Sequence, residues 1–308
     1  MIEVKYQGKD ITADVSIISC YHDMYAEGRT DTLNIVFSDD KHVWDKWGVK
    51  TNDKIAVEYG AIKTGTMFVH KAKPKNGLFE IVATSAPASY KDRKSKSWQK
   101  IKLTAMGQEI AGHHGLAFEV HGVEDVLYEY LQQENESDFS FFNKRCALEG
   151  CAFLVYDEKL ILYSQKYIEA QKAAGDAIYV GADSDYNYDD KSDELYGSCK
   201  IEMGSYKGVF EAGNRSVKVF IPSLNFTINS QAEADRYAKN ALRMVNKGVY
   251  TGYVYSAILT GYTAGSMAKL ENERAPSWNG DVFLTHVRND YGKGKSKLFF
   301  RRPIEGGY

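Results

Sequence analysis

One phrase occurs twice in this chain. GTMFVHKAKPKNGLFEIVATSAP fills Gly65 to Pro87, and WNGDVFLTHVRNDYGKGKSKLFFRRPIEGGY runs from Trp278 to Tyr308. Aligned, Gly65-x-x-Phe68-Val69 faces Gly280-x-x-Phe283-Leu284. A Gly-bearing turn follows each, then an alternating strand carrying Phe79, Ile81 and Ala83 in one and Leu298 and Phe300 in the other. A further strand precedes each phrase, around Lys54 to Val57 and around Ser266 to Leu270. A hairpin pattern stated at both ends predicts one β-unit used twice. The strand edges of such units must pair, be covered or recruit another chain. Two like units per chain would let three chains display six of them around one axis.

The rest of the sequence suits this plan. A chain of 308 residues is long enough for two or three domains, and 22 tyrosines with 26 glycines and 5 prolines favour a β-rich protein. A formal charge of -2 supplies no field to recruit nucleic acid or an anionic membrane. MIEVKYQGKDITADVSI alternates like a strand and lacks the apolar core of a signal peptide, and no stretch approaches a membrane span. Cys20, Cys146, Cys151 and Cys199 match no common zinc spacing and read as reduced, buried thiols of a protein made in a cytoplasm.

Strand signals fill residues 1–88, with Leu33, Ile35 and Phe37 on one face, then Ile55 and Val57. KHVWDKWG predicts a helical turn that docks Trp44 and Trp47. KDRKSKSWQK reads as a charged connector. Three helical runs are expected after it: KIKLTAMGQEIAGHHG, then VEDVLYEYLQQ with Val123, Val126, Leu127, Tyr130 and Leu131 on one stripe, then SDFSFFNKRCALEG with Ser137 and Asp138 as cap candidates. CAFLVYDEKLILYS predicts a hairpin, YIEAQKAAG a short helix, and GADSDYNYDDKSDELYG an acidic loop. Strands are expected again from Ser198 to Phe226, with Val217, Val219 and Ile221 alternating. SQAEADRYAKNALRMVNKG is the clearest helix, capped by Ser230, boxed by Glu233 and ended by Gly248. The fold class is therefore α+β and β-rich: two related β-domains (1–96 and 198–308, the second carrying the helix at 230–247) around a small mixed domain at 97–197.

Three stretches resemble a known family. SWQKIKLTAMGQEIAGHHGL, QENESDFSFFNKRCALEG and the terminal GDVFLTHVRNDYGKGKSKLFFRRPIEG look like the late control gene D family of baseplate hub proteins in contractile phage tails. Hub modules of type VI secretion spikes and of phage-tail-like bacteriocins are related to that family. The likeness rests on Ile110-Ala111 with His114-Gly115-Leu116, on Gln133 with Ser137-Asp138 and Phe141-Phe142, and on Arg301-Arg302-Pro303. It implies that the two β-domains are tube-like β-barrel domains and that the chain is a homotrimeric symmetry adaptor, a virion structural protein assembled in the bacterial cytoplasm. Its partners would be itself, the hexameric tail tube protein, the trimeric central spike and other baseplate proteins. Many relatives continue into a further barrel and a spike, so the spike is expected to be a separate polypeptide.

Candidate chemistry is thin. No HExxH, GxSxG, GxGxxG or P-loop occurs. His113 and His114 are adjacent, so on a helix they diverge by about 100° and do not chelate as an i, i+4 pair would. Asp183, Asp185, Asn187, Asp189 and Glu194 fall at positions 1, 3, 5, 7 and 12 of a calcium loop, but Tyr188 stands where the turn needs Gly. The favoured reading is a solvated loop, with no metal and no cofactor. Lys293, Lys295 and Lys297 with Arg301 and Arg302 form a basic strip that more often protects an edge than meets nucleic acid. Tyr253 and Tyr255 share a strand face and, with Arg301 and Arg302, are candidates for contacts between chains. The expected function is structural, not enzymatic. The alternatives are a tail-associated peptidoglycan hydrolase, which needs a carboxylate pair in a cleft where Glu124-Asp125 reads as a helix start, and a carbohydrate-binding β-protein.

Overall fold

The computed structural model describes residues 1–181, 184–214, 216–224 and 227–304. Strands β1 (Ile2–Tyr6), β2 (Lys9–Asp10), β3 (Ser16–Tyr25) and β4 (Thr32–Ser38) precede helix α1 (Val43–Trp47). Strands β5 (Lys54–Tyr59), β6 (Ile62–Lys63), β7 (Met67–Lys75) and β8 (Leu78–Thr84) complete a first unit. Alternation puts Leu33, Ile35, Phe37, Ile81 and Ala83 on one face, all buried, with Trp44 of α1 laid across it. Asn76-Gly77, with Gly77 at φ 67°, turns the chain between β7 and β8.

Residues between Ala86 and Leu162 form a second core. Strand β9 (Arg93–Lys102) leads to α2 (Leu103–His113), β10 (Ala117–His121), β11 (Leu127–Ser137), α3 (Asp138–Leu148), β12 (Cys151–Tyr156), β13 (Lys159–Ser164) and α4 (Gln165–Glu169). Leu103, Met106 and Ile110 of α2 and Phe141, Phe142 and Cys146 of α3 pack on Leu160 and Leu162 of β13. The expected hairpin turns at Asp157 and Glu158, both at positive φ (46° and 60°), as a type I′ hairpin turn requires.

Two expectations here are corrected. KDRKSKSWQK is no connector: it is β9, paired antiparallel with β11, and the expected helix at 123–131 contains the start of β11. The physical reason is an irregularity shared by both strands. Glu129 and Lys100 drop out of the ladder, Lys100 at φ 45°, and the inward-facing order reverses across the gap. Buried Tyr128 and Leu131 therefore stand three apart, as do Trp98 and Ile101 opposite them, and this spacing imitates a helix.

The last part contains β14 (Ile178–Val180), β15 (Tyr186–Asp190), β16 (Ser198–Met203), β17 (Tyr206–Glu211), β18 (Val219–Phe220), α5 (Gln231–Asn246), β19 (Tyr250–Ala257), β20 (Met267–Asn272), β21 (Gly280–Asp290) and β22 (Lys295–Arg301). Helix α5 begins as expected. Ser230 Oγ accepts the Glu233 amide at 3.2 Å, and the Glu233 carboxylate accepts the Asn229 amide at 2.8 Å. This helix and β16–β18 enclose a separate core of Ile201, Tyr237, Ala238 and Leu242, which Leu148 of α3 joins. Among the described residues of the expected alternating strand only Val219–Phe220 forms; Val217 is 93% exposed and Ile221 73%. The acidic segment is also corrected, because Tyr186 to Asp190 is a strand paired with β19. Its charges mask a period of two, in which Tyr188 turns inward to stack on Trp278 at 4.7 Å.

The strand order shows the duplication. The first unit runs β3-β4-β8-β7-β5-β1 and the second β15-β19-β22-β21-β20-β14. Matched strands follow each other in the same chain order. Their registers also agree: Phe68 faces Thr84 and Val69 faces Ala83, while Phe283 faces Arg301 and Leu284 faces Phe300. A register shift comes next in both, at His70 and at Thr285, and pairing resumes with Lys71 opposite Val82 and His286 opposite Phe299. Two differences separate the units. β14 is parallel to β20 where β1 is antiparallel to β5, and residues 191–249 are inserted between β15 and β19 where the first unit has only 26–31.

The two units are one sheet. β3 pairs antiparallel with the second half of β21, giving a 14-stranded sheet whose continuous path of eleven strands ends at β15 and β2, with β20, β14 and β6 branching from it. Each expected barrel is thus an open path of paired strands. The expected boundaries meet the structure unevenly: 96/97 falls inside β9, and β14 and β15, before 197/198, belong to the large sheet. No helix among the described residues is long and apolar enough to cross a membrane.

Candidate assembly interface

The joint between β3 and β21 is the place where one unit meets the next. Tyr21 to Tyr25 lie opposite Asp290 to His286. Alternation puts Asp23, His286 and Arg288 on one face. Asp23 accepts Arg288 Nε at 2.7 Å and Nη2 at 3.0 Å, a bidentate pair, and lies 2.7 Å from His286 Nε2. Burial works to raise the Asp23 pKa, but the hydrogen bonds from His286 and Arg288 outweigh it and hold the carboxyl below its usual range. The His286 ring is stacked between Tyr25 and Phe299, with centroids at 4.5 and 4.6 Å. Apolar contacts cross the joint as well: Tyr291 enters the first unit's core, while Met24 and Ala26 enter the second's.

Behind the joint is a buried ionic cluster. Glu169 of α4 accepts Arg301 Nη2 at 2.6 Å, pairs with Arg243 of α5, and accepts the Ile304 amide at 3.1 Å. Glu27, at the end of β3, holds Lys247 at 3.0 Å and Gln165 at 2.6 Å. These contacts fasten α4, the insert and the last strand to the joint. Asp31 closes the adjoining turn by accepting the Tyr25 amide at 2.8 Å. Burial pushes its pKa up to about 7.

Because the folded carboxyl resists ionising, its contribution to stability is complete below the unfolded value of 3.8 and is lost as pH rises toward 7. Asp31→Asn keeps the acceptor and removes the charge. The variant should exceed the parent by on the order of 2 kcal/mol at pH 8, with the gain vanishing near pH 4. Urea unfolding at both pH values checks this, and equal stabilities at pH 8 would contradict it.

The expected site residues are distributed otherwise than anticipated. Arg301 is corrected as a contact between chains: it is 2% exposed, bound to Glu169, and stacked over Phe283 at 4.3 Å. Arg302 donates to the Ser277 carbonyl at 2.5 Å and lies over Trp278 at 5.1 Å. Tyr253 and Tyr255 stay half-buried on one face, with Lys297 Nζ 3.6 Å above the Tyr253 ring. Tyr255 and Lys297 line an open cavity of about 690 Å³ with Tyr21, Arg288 and Phe299.

Of the calcium positions, Asp183 lies outside the described residues. Asp185, Asn187 and Asp189 follow extended backbone about 7 Å apart in succession, and Glu194 ends a 3-10 turn, so these groups do not converge as a calcium loop requires. His113 and His114, expected to diverge, instead meet at one carboxylate. His114 leaves the helix at its C-cap, and Asp138 accepts contacts from His113 at 3.1 Å, His114 at 3.4 Å and Lys94 at 2.8 Å. Asp125 serves as a cap, accepting the Thr104 amide at 3.1 Å and hydroxyl at 3.0 Å. All four cysteines are free and buried, as expected. Sequence reading missed Asp23, His286, Arg288 and Glu169. The alternation His286-x-Arg288 inside the repeated phrase was the available signal for the middle pair.

No protein-family model and no curated protein matches the chain. Solved structures do match over nearly its whole length. The prophage MuSo2 43 kDa tail protein from Shewanella oneidensis has a TM-score of 0.76 at 11% identity, covering 98% of each chain. A tail protein from Neisseria meningitidis MC58 has a TM-score of 0.74 at 10% identity, covering 98% of this chain and 96% of that one. An E. coli protein, described as a component of the type VI secretion system with structural similarity to T4 bacteriophage tail proteins gp27 and gp5, has a TM-score of 0.64 at 14% identity, covering 99% and 78%. The chain has the β-rich fold of phage tail proteins and of type VI secretion components similar to them.

Proposed function

We propose that this protein is the baseplate hub of a contractile phage tail or tail-like particle. Three copies form a ring that joins a hexameric tail tube to a trimeric central spike. One observation carries the reading: two units of equal strand order and register are joined edge to edge inside one chain. Three such chains present six like sheets around a threefold axis, so a partner of either symmetry finds matching surfaces. The role is mechanical. Residues act by burying interfaces and completing sheets, and none is assigned covalent chemistry. The tail-protein fold supports this reading, as does the use of Asp138 and Asp125 in holding helices.

Mass measurement in solution with electron microscopy of the purified protein tests it. Particles of three chain masses with six lobes around an open centre are expected. A monomer at concentrations of tens of micromolar, or clearing of a cell-wall suspension by the pure protein, would refute the reading.

A further inference from the structure

Resting on the ring reading, the structure also points to the edges that close the ring. β15 occupies in the second unit the place of β3 in the first, and β7 occupies that of β21. Within the chain, β21 splits its outer side: Gly280 to Phe283 pair with β20, and His286 to Asp290 receive β3. β7 begins the same split, since Met67 and Phe68 pair with β5. Among the described residues no strand pairs with the outer side of Lys71 to Lys75, and β15 has β19 as its one partner strand. The vacant half-edge and the vacant strand are thus the counterparts of the two that are joined.

We propose that β15 of one copy pairs antiparallel with Lys71 to Lys75 of a second copy, in the register of the internal joint. The register follows from the sheet. Asp23 stands opposite Thr32, and Thr32 opposite Thr84; Asp189 stands opposite Thr251, and Thr251 opposite Arg301. Thr84 faces Phe68 and Arg301 faces Phe283 at matched positions of their hairpins, so Asp189 is the counterpart of Asp23. Counting along β7 and β21 from Phe68 and Phe283 makes Lys73 the counterpart of Arg288. The ion pair Asp23–Arg288 reappears between copies as Asp189–Lys73.

Backbone direction agrees. The Tyr291 amide donates to Cys20 and the Ala26 amide to Thr285, so even-numbered residues of β3 turn their polar groups to β21. The Tyr255 amide donates to Asp185 and the Lys191 amide to Val249, which leaves Tyr186, Tyr188 and Asp190 turned outward, the counterparts of Cys20, His22 and Met24. Lysines and a proline on an exposed edge ordinarily deter pairing. Here the deterrent is selective. Two lysine-bearing edges repel each other, as do two aspartate-bearing ones, and the unlike pair attracts. Pro74 lacks one amide but keeps its carbonyl for the Tyr188 amide. The contact is head to tail, and a head-to-tail contact builds a ring where its rotation closes, here after three copies.

Lys73→Cys with Asp189→Cys tests the pairing. The position is a non-hydrogen-bonded one, where facing Cα atoms lie about 4.5 Å apart, within disulfide range. Both side chains are exposed and the four native thiols are buried, so mild oxidation should yield a covalent three-chain species absent from either single variant. No disulfide in a protein that still forms trimers would overturn the pairing and leave the hub reading standing. A disulfide-linked product of another size would uphold the pairing and remove the threefold ring. Monomers with no disulfide would sink both. As a second measurement, Lys73→Asp and Asp189→Lys should each abolish assembly and together restore it; failure of restoration counts against the pair.

Discussion

Replacing Glu169 with alanine is expected to lower stability by about 3 to 5 kcal/mol, among the largest single effects in the molecule. The side chain is 6% exposed and faces two guanidinium groups, Arg301 at 2% and Arg243 at 6%. Without the carboxylate, two cations stay buried without the anion that holds them, and the Ile304 amide loses its acceptor. The sign with pH can be worked out. Burial acts to raise the Glu169 pKa, yet the charges of Arg301 and Arg243 prevail and keep it below the ordinary 4.5. Its contribution is therefore present above pH 4.5 and is lost as pH falls through the lower folded value. Urea titrations at pH 7 and pH 4 should show the gap between parent and variant narrowing in acid. An unchanged gap would mean that packing, with no ionic part, accounts for the loss.

Trp44→Ala is expected to cost about 3 to 5 kcal/mol by opening a cavity under the first sheet. The indole is 1% exposed and touches Phe37 at 4.5 Å, Trp47 at 4.9 Å, Phe79 at 5.5 Å and Tyr6 at 5.7 Å between centroids. Four aromatic neighbours cannot all close on an alanine without leaving their rotamers. Trp44→Phe should recover more than half of the loss. Thermal unfolding of the three proteins decides it, and a loss under 1 kcal/mol for alanine would show that α1 is dispensable to the core.

Much of this architecture could be read from residue order, and the failures have specific causes. The repeated hairpin, helices α2, α3 and α5, and the docking of Trp44 were readable because apolar spacing and cap residues agreed locally. The helix assigned to 123–131 failed because Glu129 and Lys100 leave the ladder and counterfeit a helical interval. β15 was hidden because its charges face solvent while Tyr188 faces Trp278 and Phe300 from the far end of the chain. The joint was least legible. Asp23 and Arg288 are 265 positions apart, and their meeting depends on strands from both units lying edge to edge. Arg301 was taken for surface because a charged residue near a chain end usually is; only the burial of Glu169 beside it makes the interior tolerable.

The insert at 191–249 has an effect of its own. It interrupts one unit and spares its twin, so it marks every other position of the proposed ring. A neighbour resting on the bare sheets encounters half a dozen near-identical landing places. A neighbour reaching the inserted helix encounters half that number. Where a second body docks along the height of the ring would then decide which count it must obey.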